Sequence, residues 1–174
     1  MQSLAIIMVC VFAAVVYGVI HDQITARICV EYFTIGHPPL FKFETSDPTL
    51  LAFGWGIIAT WWFGLLLGIP LAAAARFGKR DKLQVRQLYR PLATLMAIAA
   101  SCALLSGLVG YQLAIRDVVV LLEPLATRVP AASHDRFIAD LWAHAASYAV
   151  GGIGGIVLVF RTWRKRPKPD AAFS

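Results

Sequence analysis

Four stretches of this chain run without a single charged side chain over lengths that a water-soluble fold rarely carries. They are Ser3 to Ile20 (18 residues), Leu50 to Ala75 (26), Pro91 to Ile115 (25) and Leu141 to Phe160 (20). A helix rises 1.5 Å per residue, so about 20 residues cross a hydrocarbon core ~30 Å thick. In lipid only a helix or a closed barrel pairs all its backbone groups internally, and these runs lack the period-two alternation of barrel strands. The pattern predicts an all-α integral membrane four-helix bundle in a single transmembrane domain over 1–174. Its spans fall near 3–20, 50–75, 91–115 and 138–160. Composition agrees, with 59% hydrophobic and 15% charged residues. A soluble domain has about 45–50% apolar and 25% charged residues, so a soluble globule, a disordered tail and a disulfide-built miniprotein are excluded.

The charges outside these runs are sorted by sign. Arg76, Lys79, Arg80, Lys82, Arg86 and Arg90 lie in the connection 76–90 with one acid, Asp81. Arg161, Arg164, Lys165, Arg166 and Lys168 lie in the tail 161–174 with Asp170. Lysine and arginine mark cytoplasmic segments, which predicts an N-in/C-in bundle with outer loops 21–49 and 116–137. A cleaved secretory signal would need a basic start and a small-residue cleavage point. Met1-Gln2-Ser3 lacks the first and Tyr17-Gly18-Val19-Ile20 fits the second poorly, so the first helix is expected to be retained. The net charge of +6 falls in two juxtamembrane clusters without interleaved aromatics. Anionic lipid headgroups, rather than nucleic acid, are the expected partner there, with Trp163 at the interface.

Lipid supplies no hydrophobic drive between helices, so small residues should mark their contacts. Gly64 and Gly68 do so in span two; Ala99, Ala103, Ser106 and Gly110 in span three; Ser147, Gly151 and Gly155 in span four. Cys10, Ala14 and Gly18 form the seam of span one. Trp61 and Trp62, far from either surface, are expected to fill space between helices, and Trp55 to join an outer aromatic belt. Cys10 and Cys102 read as small apolar side chains. Cys29 stands alone on the outer side, so no disulfide is expected there. The chain contains no asparagine and thus no N-glycosylation acceptor.

All four histidines, His21, His37, His134 and His144, fall on the outer side with eight of the ten acids. Asp140 and His144 are four residues apart on one helix face, the face that Ser147, Gly151 and Gly155 continue inward. An aspartate near the centre of a span costs roughly 2.5–3.5 kcal/mol, so one retained there marks a functional site by default. Tyr17 and His21 share a face of span one, and adjacency of spans one and four would bring His21 to His144. Three chemistries fit. His21, Asp140 and His144, with Glu31 or His37, form a site for zinc or another divalent metal, where an open position supports hydrolysis and Asp22 and Glu31 are the candidate catalytic carboxylates. Alternatively, His21 and His144 are axial ligands of a haem in a small electron-transfer protein. In the third, Arg136–Asp140–His144 and Asp22–Arg27 are ionic networks of a non-enzymatic structural or assembly subunit whose outer loops dock a protein partner. The piece Thr25 to Phe33 is expected to lie across the bundle mouth. The apolar run Arg116 to Pro124 is expected as an interfacial helix or a strand, and Ser133 as the N-cap of span four, with Asp135 in its first turn.

The segment His21-Asp-Gln-Ile-Thr to Glu31-Tyr-Phe-Thr, together with Ala59-Thr-Trp-Trp-Phe-Gly, is similar to a group of uncharacterised bacterial multi-pass membrane proteins. The resemblance covers roughly the first 70 residues. It implies a bacterial cytoplasmic (inner) membrane and lends no site residues. The orientation has a direct test: a reporter enzyme active only after translocation, fused behind Ser174, stays silent, and activity from it would reverse the topology.

Overall fold

The computed structural model describes residues 1–166; the rest of the basic tail, with Lys168 and Asp170, lies outside the described residues. The chain is all-helical, with no strand among the described residues. Helix α1 spans Gln2–Ile28, α2 Val30–Thr34, α3 Pro48–Ile58, α4 Trp61–Arg76, α5 Tyr89–Ala114, α6 Leu125–Arg128 and α7 His134–Lys165. Four stretches are long and apolar enough to cross a membrane: α1, α3 with α4, α5 with its leading 3-10 turn, and α7 with its own. Their outward faces carry Phe12, Leu66, Leu105 and Ile156, each more than 60% exposed, as expected where the solvent is hydrocarbon.

The second span is broken. Helix α3 stops at Ile58 and α4 begins at Trp61, leaving backbone groups unpaired at a depth where no water is available. Two side chains satisfy them. The Thr60 hydroxyl donates to the Gly56 carbonyl, and the Tyr148 hydroxyl of α7 donates to the Ala59 carbonyl at 3.1 Å. Irregular backbone of this kind is tolerated in a membrane only where neighbouring side chains rescue it or a cavity adjoins it, and both hold here.

Glycines set which helices touch. A Cβ at Gly64 would sit 2.5 Å from the Val11 Cα, and one at Gly56 2.6 Å from the Val19 Cα, so α1 lies backbone against backbone on α3 and α4. Gly110 packs under the Trp142 ring in the same way, joining α5 to α7. The bundle is therefore two tight pairs, α1 with α3/α4 and α5 with α7, which meet mainly along α4 and α7. Its buried core divides accordingly. One cluster, with Phe33, Leu51, Val129 and Phe137, packs the end that carries the long loops. Another, with Ile6, Leu71, Leu88 and Leu92, packs the opposite end.

That opposite end gathers the basic residues. The Arg166 guanidinium donates to the carbonyls of Ala74, Phe77, Arg80 and Asp81 at 2.7–2.8 Å, capping the C-terminus of α4 with a cation where the helix dipole favours one. Arg80 bonds the carbonyls of Trp163 and Arg164, and Arg80 and Arg166 each lie 5.7 Å from the Trp163 ring centre. Part of the charge run is thus a clamp between α4 and α7.

Several expectations change in detail. Trp61 and Trp62 fill the space between helices only in part: they are 46% and 42% exposed, while the Trp62 ring stacks on Tyr148 of α7 at 6.5 Å. The run Arg116 to Pro124 is neither helix nor strand. Asp117 adopts φ 55° and the Val118 amide bonds back to the Leu113 carbonyl, which ends α5 in a left-handed turn. Thr25 to Ile28 continue α1, so only the five-residue α2 lies across the mouth.

The glycine seam yields a paired test. Gly64→Ala forces α1 and α4 apart and lowers stability by roughly 1–3 kcal/mol, whereas Gly152→Ala, whose Cβ would meet nothing within 4 Å, is neutral or gains about 0.5–1 kcal/mol of helix propensity. Thermal unfolding in detergent micelles measures both, and equal effects would contradict the packing.

Candidate metal centre at the loop end of the bundle

Near the end of α1, His21 and Asp22 point across the bundle to His144 of α7. The His144 Nε2 lies 3.2 Å from the Asp22 Oδ1, and the His21 and His144 rings meet edge to face at 4.5 Å between centroids. One nitrogen or oxygen from each of the three residues lies within 4.8 Å of the others. Spans one and four thus meet through long side chains rather than by close backbone packing.

The protonation of His144 can be assigned from its partners. Its Nδ1 lies 2.8 Å from the Asp140 backbone carbonyl, which only accepts, so Nδ1 carries the hydrogen. A neutral ring then presents the Nε2 lone pair to the Asp22 carboxylate. Two lone pairs at 3.2 Å repel unless a positive particle sits between them: a proton or a metal ion. Beside them the His21 Nε2 is buried without any hydrogen-bond partner. A buried imidazole nitrogen left unpaired is costly, and a cation bound to all three groups satisfies it. Tetrahedral zinc, with ligands at about 2.0–2.1 Å, spaces them roughly 3.3 Å apart, close to the present His144–Asp22 separation. The carbonyl behind His144 also supplies the outer hydrogen bond that orients metal-ligating histidines.

An aromatic shelf holds the cluster from the loop side. Tyr32 of α2 stacks on His144 at 4.5 Å, and His37 packs against Tyr32 at 4.9 Å and Trp55 at 4.7 Å. From below, Tyr17 stacks on His21 at 5.8 Å and its hydroxyl bonds Ser147 at 2.8 Å. Tyr32 was not singled out by sequence reasoning. The signal for it is its place beside Glu31 in a segment expected to cross the mouth.

The remaining sequence candidates fall outside the three-residue cluster. His37 borders the same cavity, but its Nδ1 is bonded to the Tyr32 carbonyl at 2.8 Å. The Asp140 carboxyl is only 1% exposed and has no partner; its backbone carbonyl, not its side chain, touches His144. Glu31 turns the other way. It accepts from the Ser133 hydroxyl at 2.8 Å and the Cys29 thiol at 3.3 Å, latching α2 to the start of α7. Ser133 does occupy the N-cap position of α7, with Asp135 in its first turn, yet its hydroxyl serves Glu31 instead of capping. His134 bonds the Val129 carbonyl, away from the cluster.

The expected ionic networks do not form. Arg136 donates to the Ala132 carbonyl and Arg27 to Gln23 and Thr49, and the one ion pair among the described residues is His144–Asp22. Nor does the geometry suit bis-histidine haem. Two axial imidazoles must face each other across the macrocycle, and rings in edge-to-face contact leave no slot for it.

Fold and site together define a four-span membrane protein with a His2Asp cluster buried at the loop end. Compared with protein-family models, with curated proteins and with solved structures, the chain gives no match.

The latch around Glu31 has a pH signature. Burial pushes this carboxyl up, but its own backbone amide, the Ser133 hydroxyl, the Cys29 thiol and the Arg136 charge together hold it below its ordinary 4.5. Burial pushes the Cys29 thiol up to about 12, so it stays protonated and donates. A carboxyl held low stabilises the fold above its ordinary value and ceases to as pH falls through its native one. The thermal-stability margin of wild type over Glu31→Gln is therefore full at neutral pH and shrinks as pH drops below 4.5. A margin independent of pH would contradict the latch.

Proposed function

We propose that this chain is a metal-dependent hydrolase of the bacterial inner membrane, with His21, Asp22 and His144 holding a zinc-class divalent ion at the outer end of the bundle. The observation that carries the reading is the His144–Asp22 contact, in which two lone pairs face each other beside an unpartnered His21 Nε2. Two imidazole nitrogens and one carboxylate oxygen suit zinc, and three protein ligands leave a position free for substrate or water. In hydrolysis there, water supplies its OH to an acyl carbon and its remaining proton to the departing oxygen as the bond between them breaks. The ion's part is to polarise the carbonyl and acidify the water. Asp22 is a ligand in this reading, not a free base, and Glu31, Asp140 and His37 support the site from outside it.

The N-in/C-in orientation is supported by the basic loop and the end of α7 sharing one end of the bundle, with anionic headgroups as their lipid partner. A non-enzymatic subunit docking a protein through its outer loops is the competing outcome of the test. Protein purified in detergent without chelator is analysed for zinc, iron and manganese, beside His144→Ala and His21→Ala. About one ion per chain in wild type, lost in both variants, is expected. No stoichiometric metal in wild type overturns the metal reading, and leaves a proton shared between Asp22 and His144.

A further inference from the structure

Between the two packed ends of the core lies a narrow cavity of about 130 Å³. His21, Asp22 and His144 border it at the loop end, Tyr17, Thr60 and Ser147 place hydroxyls beneath them, and the walls farther down are apolar: Ala14, Leu67, Leu95, Met96 and Ala99. It follows α1 from His21 to Cys10, eleven residues or about 16 Å. An apolar cavity of ~150 Å³ stays dry and binds one benzene-sized group, so this one takes part of a hydrocarbon chain and not a whole lipid.

One layer of side chains parts the cavity from the lipid-facing side of the bundle. Phe63, Leu67 and Gly151 border both the cavity and an open apolar groove of about 830 Å³ between α4 and α7. The groove is parted from the cavity by the Phe63 ring and the Leu67 side chain, which close against Gly151 and Gly155 at 3.2 and 3.1 Å from where a Cβ would stand. Its rim residues Leu66, Ile156 and Phe160 are exposed on a membrane-spanning face, so the medium that meets it is lipid chains.

From this thin partition we infer that the cavity receives one hydrocarbon chain of an acyl-ester lipid, threaded sideways from the bilayer between α4 and α7 past the Phe63 ring. The carbonyl end reaches the His21–Asp22–His144 cluster, and the far end of the chain stays in the groove. Polar groups gathered in the loop-end half of otherwise apolar walls select a single-headed amphiphile over a sugar, a peptide or an ion. The ester assignment rests on the hydrolytic reading of the cluster; the chain site does not.

The test uses the full-length protein in phosphatidylcholine vesicles with a trace of palmitic acid bearing a photoactivatable diazirine on its chain, a product-like probe. After irradiation, adducts are mapped by peptide mass spectrometry. Interior adducts at Leu95 or Ala99 are expected, besides those on outward residues such as Leu104 and Ile153. Gly151→Leu, which thickens the partition against Phe63, lowers interior adducts several-fold relative to outward ones. Ala99→Leu, which fills the cavity from α5, does the same should Gly151→Leu misfold. Wild-type adducts confined to outward residues, or interior adducts undiminished in both variants, overturn the inference. Interior adducts in a wild-type protein that holds no metal uphold the chain site and reject the ester assignment.

Discussion

Hydrocarbon offers no hydrogen-bond partner, and the internal arrangement of this bundle follows from that one constraint. Each polar atom carried into the membrane has to find its partner within the protein. The break between α3 and α4 exists because Thr60 and Tyr148 take up its freed carbonyls. Arg166 closes the end of α4 with its guanidinium for the same reason. Where partners run short, the deficit is conspicuous: the His21 Nε2 and both Asp140 carboxyl oxygens are buried and unpaired within a few residues of the His144–Asp22 contact.

Packing decides where that deficit can be put to use. Glycine contacts draw α1 onto α3 and α4, and α5 onto α7, as closely as backbones allow. The pairs have no comparable seam between α1 and α5 or α7, and the gap left there is the cavity. His21, Asp22 and His144 cross this gap with their side chains, which is why they meet at its mouth and not against a packed wall. The aromatic shelf of Tyr32, His37 and Trp55 then separates the cluster from the loops. The His/Asp cluster and the apolar chamber are two consequences of one imperfect seam.

The legible part of the site was its membership more than its geometry. His21 and His144 could be paired from their positions at the same end of spans one and four, and Tyr17 placed with them by a spacing of four. Glu31 and Asp140 read as equals of those histidines, since composition cannot say which way a carboxylate turns. In the fold, Glu31 faces Ser133 and Cys29, and Asp140 contributes a backbone carbonyl. Asp22, in contrast, stood beside His21 as a candidate base, and the facing of α1 and α7 makes it the side-chain partner of His144. The Trp61-Trp62 pair shows the same limit: its depth was readable and its partial exposure was not, because that depends on how α4 meets α7.

What the sequence determined by itself is residence, the number of spans and the segregation of charge. These are set by the cost of putting a charge or an unpaired peptide group into hydrocarbon, a cost that adds residue by residue along the chain. Tertiary structure alone decided which small-residue faces pair, where the second span breaks, that Arg166 is a clamp, and which three of the polar candidates converge. Those outcomes depend on separations of a few ångströms between residues tens to more than a hundred positions apart, such as Asp22 and His144. Local propensity carries no information about such distances; only the closed bundle does.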